Sequence, residues 1–211
     1  MAETALRTAE QIGPQLERAA EMVRAAVERG GTLIFCGNGG SAADAQHLAG
    51  ELVGRFKVPD RRGLPAIALT ADTAILTAWA NDVGYDDVFA RQVEALGRPG
   101  DVLVGISTSG RSRNVVQAFG AARRLGLRCV ALLGGDGGDV GQRADIAITV
   151  PSADTQHIQE VQIVVIHLLC ELIEERVMAA AGASDTTVVD ARSIWESPER
   201  AAARAGRPRA A

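Results

Sequence analysis

The chain has 211 residues, 47% hydrophobic and 23% charged, enough for one domain with a substantial apolar core. A net charge of −4 and an aromatic content of 3% exclude a general phosphate-backbone binder and a protein that stacks single-stranded nucleic acid on aromatic platforms. Imidazole chemistry is confined to His47, His157 and His167, and the single lysine, Lys57, leaves little scope for a Schiff base.

Residues 2–29 read as helix, because Leu16, Ala20, Val23 and Val27 recur at three- and four-residue spacing. Gly13-Pro14 predicts a kink, or two helical pieces, within it. The period changes at 32–37, a continuous apolar run ending in glycine that suits a strand buried on both faces. Similar runs follow at 65–69, 101–107, 128–134 and 145–150, with helical stretches at 41–55, 73–80, 87–96 and 112–125 between them. A long apolar helix over 154–180 closes the pattern. Buried strands alternating with helices predict a doubly wound parallel α/β sheet, and five strands suggest the flavodoxin-like order. Residues 1–182 form the predicted domain, and 183–211, ending in RAAARAGRPRAA, a C-terminal extension expected to be flexible.

Cys36, Cys129 and Cys170 each lie in an apolar run; an odd number without C-x-x-C spacing predicts neither a disulfide framework nor a thiolate zinc site. The first residues carry acids and no apolar core, and no run of 18 apolar residues occurs, so neither a signal peptide nor a membrane span is expected. The expected location is the cytoplasm.

Two turns between a strand and a helix could hold an anion. Gly37-Asn38-Gly39-Gly40-Ser41 lets a ligand approach the backbone amides at a helix N-terminus, although tight structural turns have similar composition. It matches neither the dinucleotide fingerprint nor the phosphate loop that requires lysine. Ser107-Thr108-Ser109-Gly110-Arg111-Ser112 places four hydroxyls where capping needs one, which suits a phosphate monoester.

His47 and Glu51 are four residues apart on one helical face, and Gln159 and His167 share roughly one face of the last helix. If the two faces converge, His47, Glu51, Gln159 and His167 offer nitrogen and oxygen donors that suit Zn²⁺. The same carboxylate and imidazole could move a proton between adjacent sugar carbons without a metal. His157 reads as incidental, and the sequence leaves the convergence open.

The segments CGNGGSAADAQHLAGEL, WANDVGYDDVFARQVEALGRPGDVLVGISTSGRSRNVVQA, DGG and IQEVQIVVIHLLCELIE resemble a sugar isomerase (SIS) domain, more specifically the bacterial phosphoheptose isomerases, over roughly residues 2–178. The resemblance implies conversion of sedoheptulose 7-phosphate into D-glycero-D-manno-heptose 7-phosphate, or a close stereoisomer, through a cis-enediol for heptose nucleotide biosynthesis. It implies a homotetramer with sites shared between subunits and one Zn²⁺ per subunit. Position by position, Asn38, Gly39, Gly40, Ser41, Asn81, Asp82 and Gln159 would contact substrate, and Ser107, Thr108, Ser109 and Ser112 its phosphate. Glu51 and His167 would be the catalytic base and proton shuttle, with Glu51 also touching substrate. His47, Glu51, Gln159 and His167 would be the metal set. Gln162 stands where many members carry His, and Gln156 where relatives are often acidic. The alternative is a non-catalytic SIS protein that binds the replication initiator, but such proteins lack the equivalents of Glu51 and His167. A sugar-phosphate-sensing regulatory domain is disfavoured because no DNA-binding appendage is evident, unless the arginine-rich C-terminal extension is one.

Overall fold

A computed structural model describes residues 2–182. In chain order the elements are α1 (Ala2–Glu28), β1 (Leu33–Gly37), α2 (Gly40–Val53), β2 (Ala66–Ala68), α3 (Thr73–Asp82), a 3-10 turn (Tyr85–Asp87), α4 (Val88–Leu96), β3 (Val102–Ser107), α5 (Arg113–Arg124), β4 (Arg128–Gly134), α6 (Gly138–Arg143), β5 (Ile146–Val150) and α7 (Thr155–Gly182). The sheet is parallel throughout, in the order β2-β1-β3-β4-β5, which is the expected flavodoxin-like arrangement.

The unbroken apolar runs are explained by layers on both faces. Leu33 and Phe35 of β1 join a core beneath α1, α2 and α7, whereas Ile34 and Cys36 join a second core beneath α4 and α5. Every residue of β1 and β3 is buried. The three cysteines are free and buried, and burial pushes each thiol up to about 12, as expected of inert core residues.

Two details refine the sequence reading. Of the two options at Gly13-Pro14, α1 is one continuous helix and not two pieces. Pro14 is exposed, as is Glu10, whose carbonyl loses its helical partner to the proline, while Ile12, Leu16, Ala19 and Val23 are buried. Helix α6 was not foreseen, because six residues with two glycines carry no helical period. The extension 183–211 lies outside the described residues.

At the centre of the sheet, a Cβ on Gly105 would collide with the Phe119 ring of α5. Gly105→Ala is therefore expected to destabilise the fold by about 1–3 kcal/mol, read as a lower midpoint of thermal or urea unfolding.

Candidate active site

Strand order reverses between β1 and β3, so the turns leaving their carboxyl ends lie side by side, where open α/β sheets bind ligands. The first turn is tied to the start of α5, the helix that follows the second turn, by a pair of amides. Asn38 Nδ2 donates to Asn114 Oδ1 at 2.8 Å, and Asn114 Nδ2 donates back to Asn38 Oδ1 at 2.9 Å. The Tyr85 hydroxyl adds a 3.0 Å hydrogen bond to Asn38 Oδ1. Gly39, at φ +57°, begins α2 without a side-chain cap, and Ser41 is buried in its first turn.

In the second turn, Ser107 Oγ lies 3.1 Å from Ser112 Oγ, and the Gly110 amide donates to Ser107 Oγ at 3.2 Å. Ser112 occupies the N-cap position of α5, yet its side chain makes no capping hydrogen bond. The hydroxyls thus converge on an uncapped helix N-terminus, whose amides and dipole favour an anion. Arg111 points elsewhere: its Nη2 pairs with Asp136 Oδ2 at 2.6 Å, and this bond holds the Asp136 carboxyl below its ordinary range. Helix α6 also braces the cradle, with the Val140 amide donating to the Gly110 carbonyl at 2.9 Å. Gly110 has φ +63°, and a Cβ there would collide with the Gly137 backbone.

The acid–base side chains meet on the other side of the glycine turn, where α2 and α7 run alongside one another. Gln159 lies over Gly40, which has no room for a Cβ beneath that amide. One segment further along both helices, His47 Nε2 and His167 Nε2 are 2.9 Å apart with their rings edge-on, and Glu51 Oε1 is 3.6 Å from His47 Nε2. The Phe56 ring stacks on the far face of His167, with centroids 5.9 Å apart. Neutral imidazoles in this geometry must have opposite roles, one nitrogen donating and the other accepting.

The predicted convergence therefore occurs for His47, Glu51 and His167, while Gln159 sits apart from them, against Gly40 of the glycine turn. Two imidazole nitrogens and a carboxylate are donors that zinc accepts. Among the described residues, however, no three His, Cys, Asp or Glu side chains form a group that could hold a metal ion as they stand. Asn81 and Asp82 are exposed at the end of α3, where Asn81 Nδ2 donates to Asp82 Oδ1 at 2.8 Å. His157 stands at the start of α7, its amide donating to Asp154 Oδ1. Gln156 is exposed there, and Gln162 is buried with neither amide atom hydrogen-bonded. Sequence reasoning missed Asn114, Tyr85 and Phe56, whose importance lies in contacts between segments distant along the chain.

A family model described as SIS domain matches residues 1–134, spanning both turns and α2. The phosphoheptose isomerase of Geotalea daltonii is 55% identical over 167 residues, 79% of this chain and 86% of its own. The chain belongs to the phosphoheptose isomerase family. Solved phosphoheptose isomerases agree: that of Neisseria gonorrhoeae is 43% identical with a TM-score of 0.77, and that of Francisella tularensis 38% with 0.80. Each alignment covers 82% of this chain and 92% of the solved one.

For a phosphoheptose isomerase, the second turn generates a direct prediction. Gly110→Ala is expected to displace the turn after β4 and raise KM for a sugar phosphate about tenfold or more, the equivalent of one lost charge-assisted hydrogen bond. Steady-state kinetics on the purified variant checks this, with kcat falling less than KM rises.

Proposed function

We propose that this enzyme interconverts sedoheptulose 7-phosphate and D-glycero-D-manno-heptose 7-phosphate, or a close stereoisomer, for heptose nucleotide biosynthesis. The observation that carries the reading is the meeting of His47 and His167 at 2.9 Å with Glu51 beside them, where α2 and α7 pack together. Relatives more than half identical to the chain bear the isomerase name, and nothing comparable favours a non-catalytic protein that binds the replication initiator.

In this reading the phosphate is held by Ser107, Thr108, Ser109, Ser112 and the amides of α5. Asn38, Gly39, Gly40, Ser41, Asn81, Asp82 and Gln159 contact the sugar. The Glu51 carboxylate removes a proton from C1 of the ketose, and the C–H electrons form the C1=C2 bond of a cis-enediol. His167 gives a proton to the C2 oxygen as the carbonyl π electrons move onto it. Return of a proton from Glu51 to C2, with loss of the C1 hydroxyl proton to His167, leaves the aldehyde at C1. No residue forms a covalent bond to the substrate, consistent with a site that contains no lysine.

His47, Glu51, Gln159 and His167 would hold one Zn²⁺ per subunit, which when bound supplies Lewis-acid polarisation of a carbonyl. A homotetramer with shared sites is supported by exposed apolar side chains beside His167: Val164 and Leu168 of α7 are 54% and 43% exposed. Residues 1–182 serve as the isomerase domain. The buried, unpaired cysteines favour the cytoplasm, and no described helix is long and apolar enough to cross a membrane.

Glu51→Gln is expected to lower kcat by about 10²–10⁴-fold or abolish turnover, measured with sedoheptulose 7-phosphate. Wild-type protein inactive on this substrate, with and without added zinc, would overturn the reading. Elemental analysis tests the metal set: His47→Ala should lose the zinc that the wild type retains, and an unchanged content would place the metal elsewhere.

A further inference from the structure

Between α2 and β2 the chain crosses to α7 and is fastened there by a buried ion pair outside the reacting groups. The side chains of Arg61 and Glu174 are 1% and 2% exposed, and Arg61 Nε donates to Glu174 Oε1. Each partner has further work. Arg61 Nη2 donates to the Glu51 carbonyl at 2.7 Å, and Nη1 to the Leu52 carbonyl at 2.9 Å. These are carbonyls of the last turn of α2, which have no helical partner of their own and lie at the negative end of the helix dipole. Glu174 accepts from the backbone amides of Phe56, Lys57 and Val58 at 3.3, 2.8 and 2.9 Å. Burial alone would raise the Glu174 pKa, but Arg61 and these amides outweigh it and hold the carboxyl below its ordinary range.

The placement of this pair relative to the acid–base groups is specific. Arg61 grips the backbone of Glu51 itself. Glu174 follows His167 by seven residues on α7, within about 20° of two full helical turns, so both project from one stripe of that helix. The three amides that Glu174 anchors begin at Phe56, the residue whose ring stacks on His167. One ion pair therefore spans the helix carrying the base, the helix carrying the imidazole and the ring that packs against that imidazole.

We propose that Arg61 and Glu174 are positioning residues: together they fix α2 against α7, and Phe56 against His167, so that Glu51 and His167 address the same two substrate carbons. This rests on the reading of Glu51 and His167 as the proton-transfer pair. A purely stabilising role is the competing account, and it is weakened by the general finding that buried ion pairs are often replaceable by apolar residues without loss of stability. What an apolar pair cannot supply is the fork of donors on the α2 carbonyls and the acceptor for three amides.

The test compares wild type, Arg61→Lys, Glu174→Gln and Phe56→Leu by steady-state kinetics, with Glu51→Gln as the reference for the acid–base reading. Arg61→Lys keeps the charge and loses the fork. The expected result is a fall in kcat of about 10²-fold for Arg61→Lys and Glu174→Gln, the cost of displacing catalytic groups by about 1 Å. Phe56→Leu should lower kcat by about tenfold, with KM and the inhibition constant of inorganic phosphate within about twofold of wild type in all three, because the phosphate turn is untouched. Folded variants with kcat within about threefold of wild type, or with KM rising in step with the loss in kcat/KM, would overturn the proposal. If circular dichroism shows that both ion-pair variants fail to fold, Phe56→Leu, which leaves the pair intact, decides by the same criteria. Full activity of Glu51→Gln would instead defeat the acid–base reading, a failure distinguishable from normal kinetics in the positioning variants alone.

Discussion

The packing of α2 along α7 is the constraint on which the rest of the site depends. The two helices meet at successive points that advance together: Gly40 under Gln159, His47 against His167, and the segment after α2 on Glu174. Helices that advance in the same direction keep such contacts in step over several turns, so side chains separated by more than 100 residues of sequence are held at hydrogen-bonding distance. Each point demands a particular residue type. Glycine at position 40 admits the Gln159 amide, and the carboxylate of Glu174 gathers three partly buried amides of the segment after α2.

The sheet supplies the complementary half. Because β1 and β3 are neighbours at the point where strand order reverses, the glycine turn and the serine turn are adjacent, and the Asn38–Asn114 amide pair ties the glycine turn to the first turn of α5. The serine turn offers hydroxyls and a helix end instead of a cationic side chain, since Arg111 is engaged by Asp136. That division of labour suits the proposed phosphorylated sugar: under the proposal, fixed dipoles hold the phosphate, and proton transfer is left to a separate place between α2 and α7, where the side chains of His47 and Glu51 are 40% and 25% accessible.

Much of this was legible in the sequence because local patterns determine it. The runs LIFCG and VLVGIS are apolar at every position because both sheet faces are covered, and the glycines and serines after them mark where the strands end. The i,i+4 relation of His47 and Glu51 follows from helical geometry alone. What sequence spacing could not supply was distance between helices, so the meeting of His47 and His167 stayed conditional. The same limit hid Asn114, Phe56, Arg61 and Glu174, each of which matters through a partner more than 70 residues away, or through contact with one. At Pro14 the sequence left two pieces or a kink open, and the helix is a single element there, with Pro14 and Glu10, whose carbonyl the proline leaves unpaired, on its exposed side.

The most direct test of the account is to run the isomerisation of sedoheptulose 7-phosphate in deuterium oxide and locate the label in the aldoheptose phosphate by NMR. A proton lifted by Glu51 at this solvent-accessible place exchanges before it is returned, so the account predicts deuterium at C2 of the product. Complete retention of the substrate's own hydrogen, with no deuterium at C2 at any extent of reaction, would contradict it.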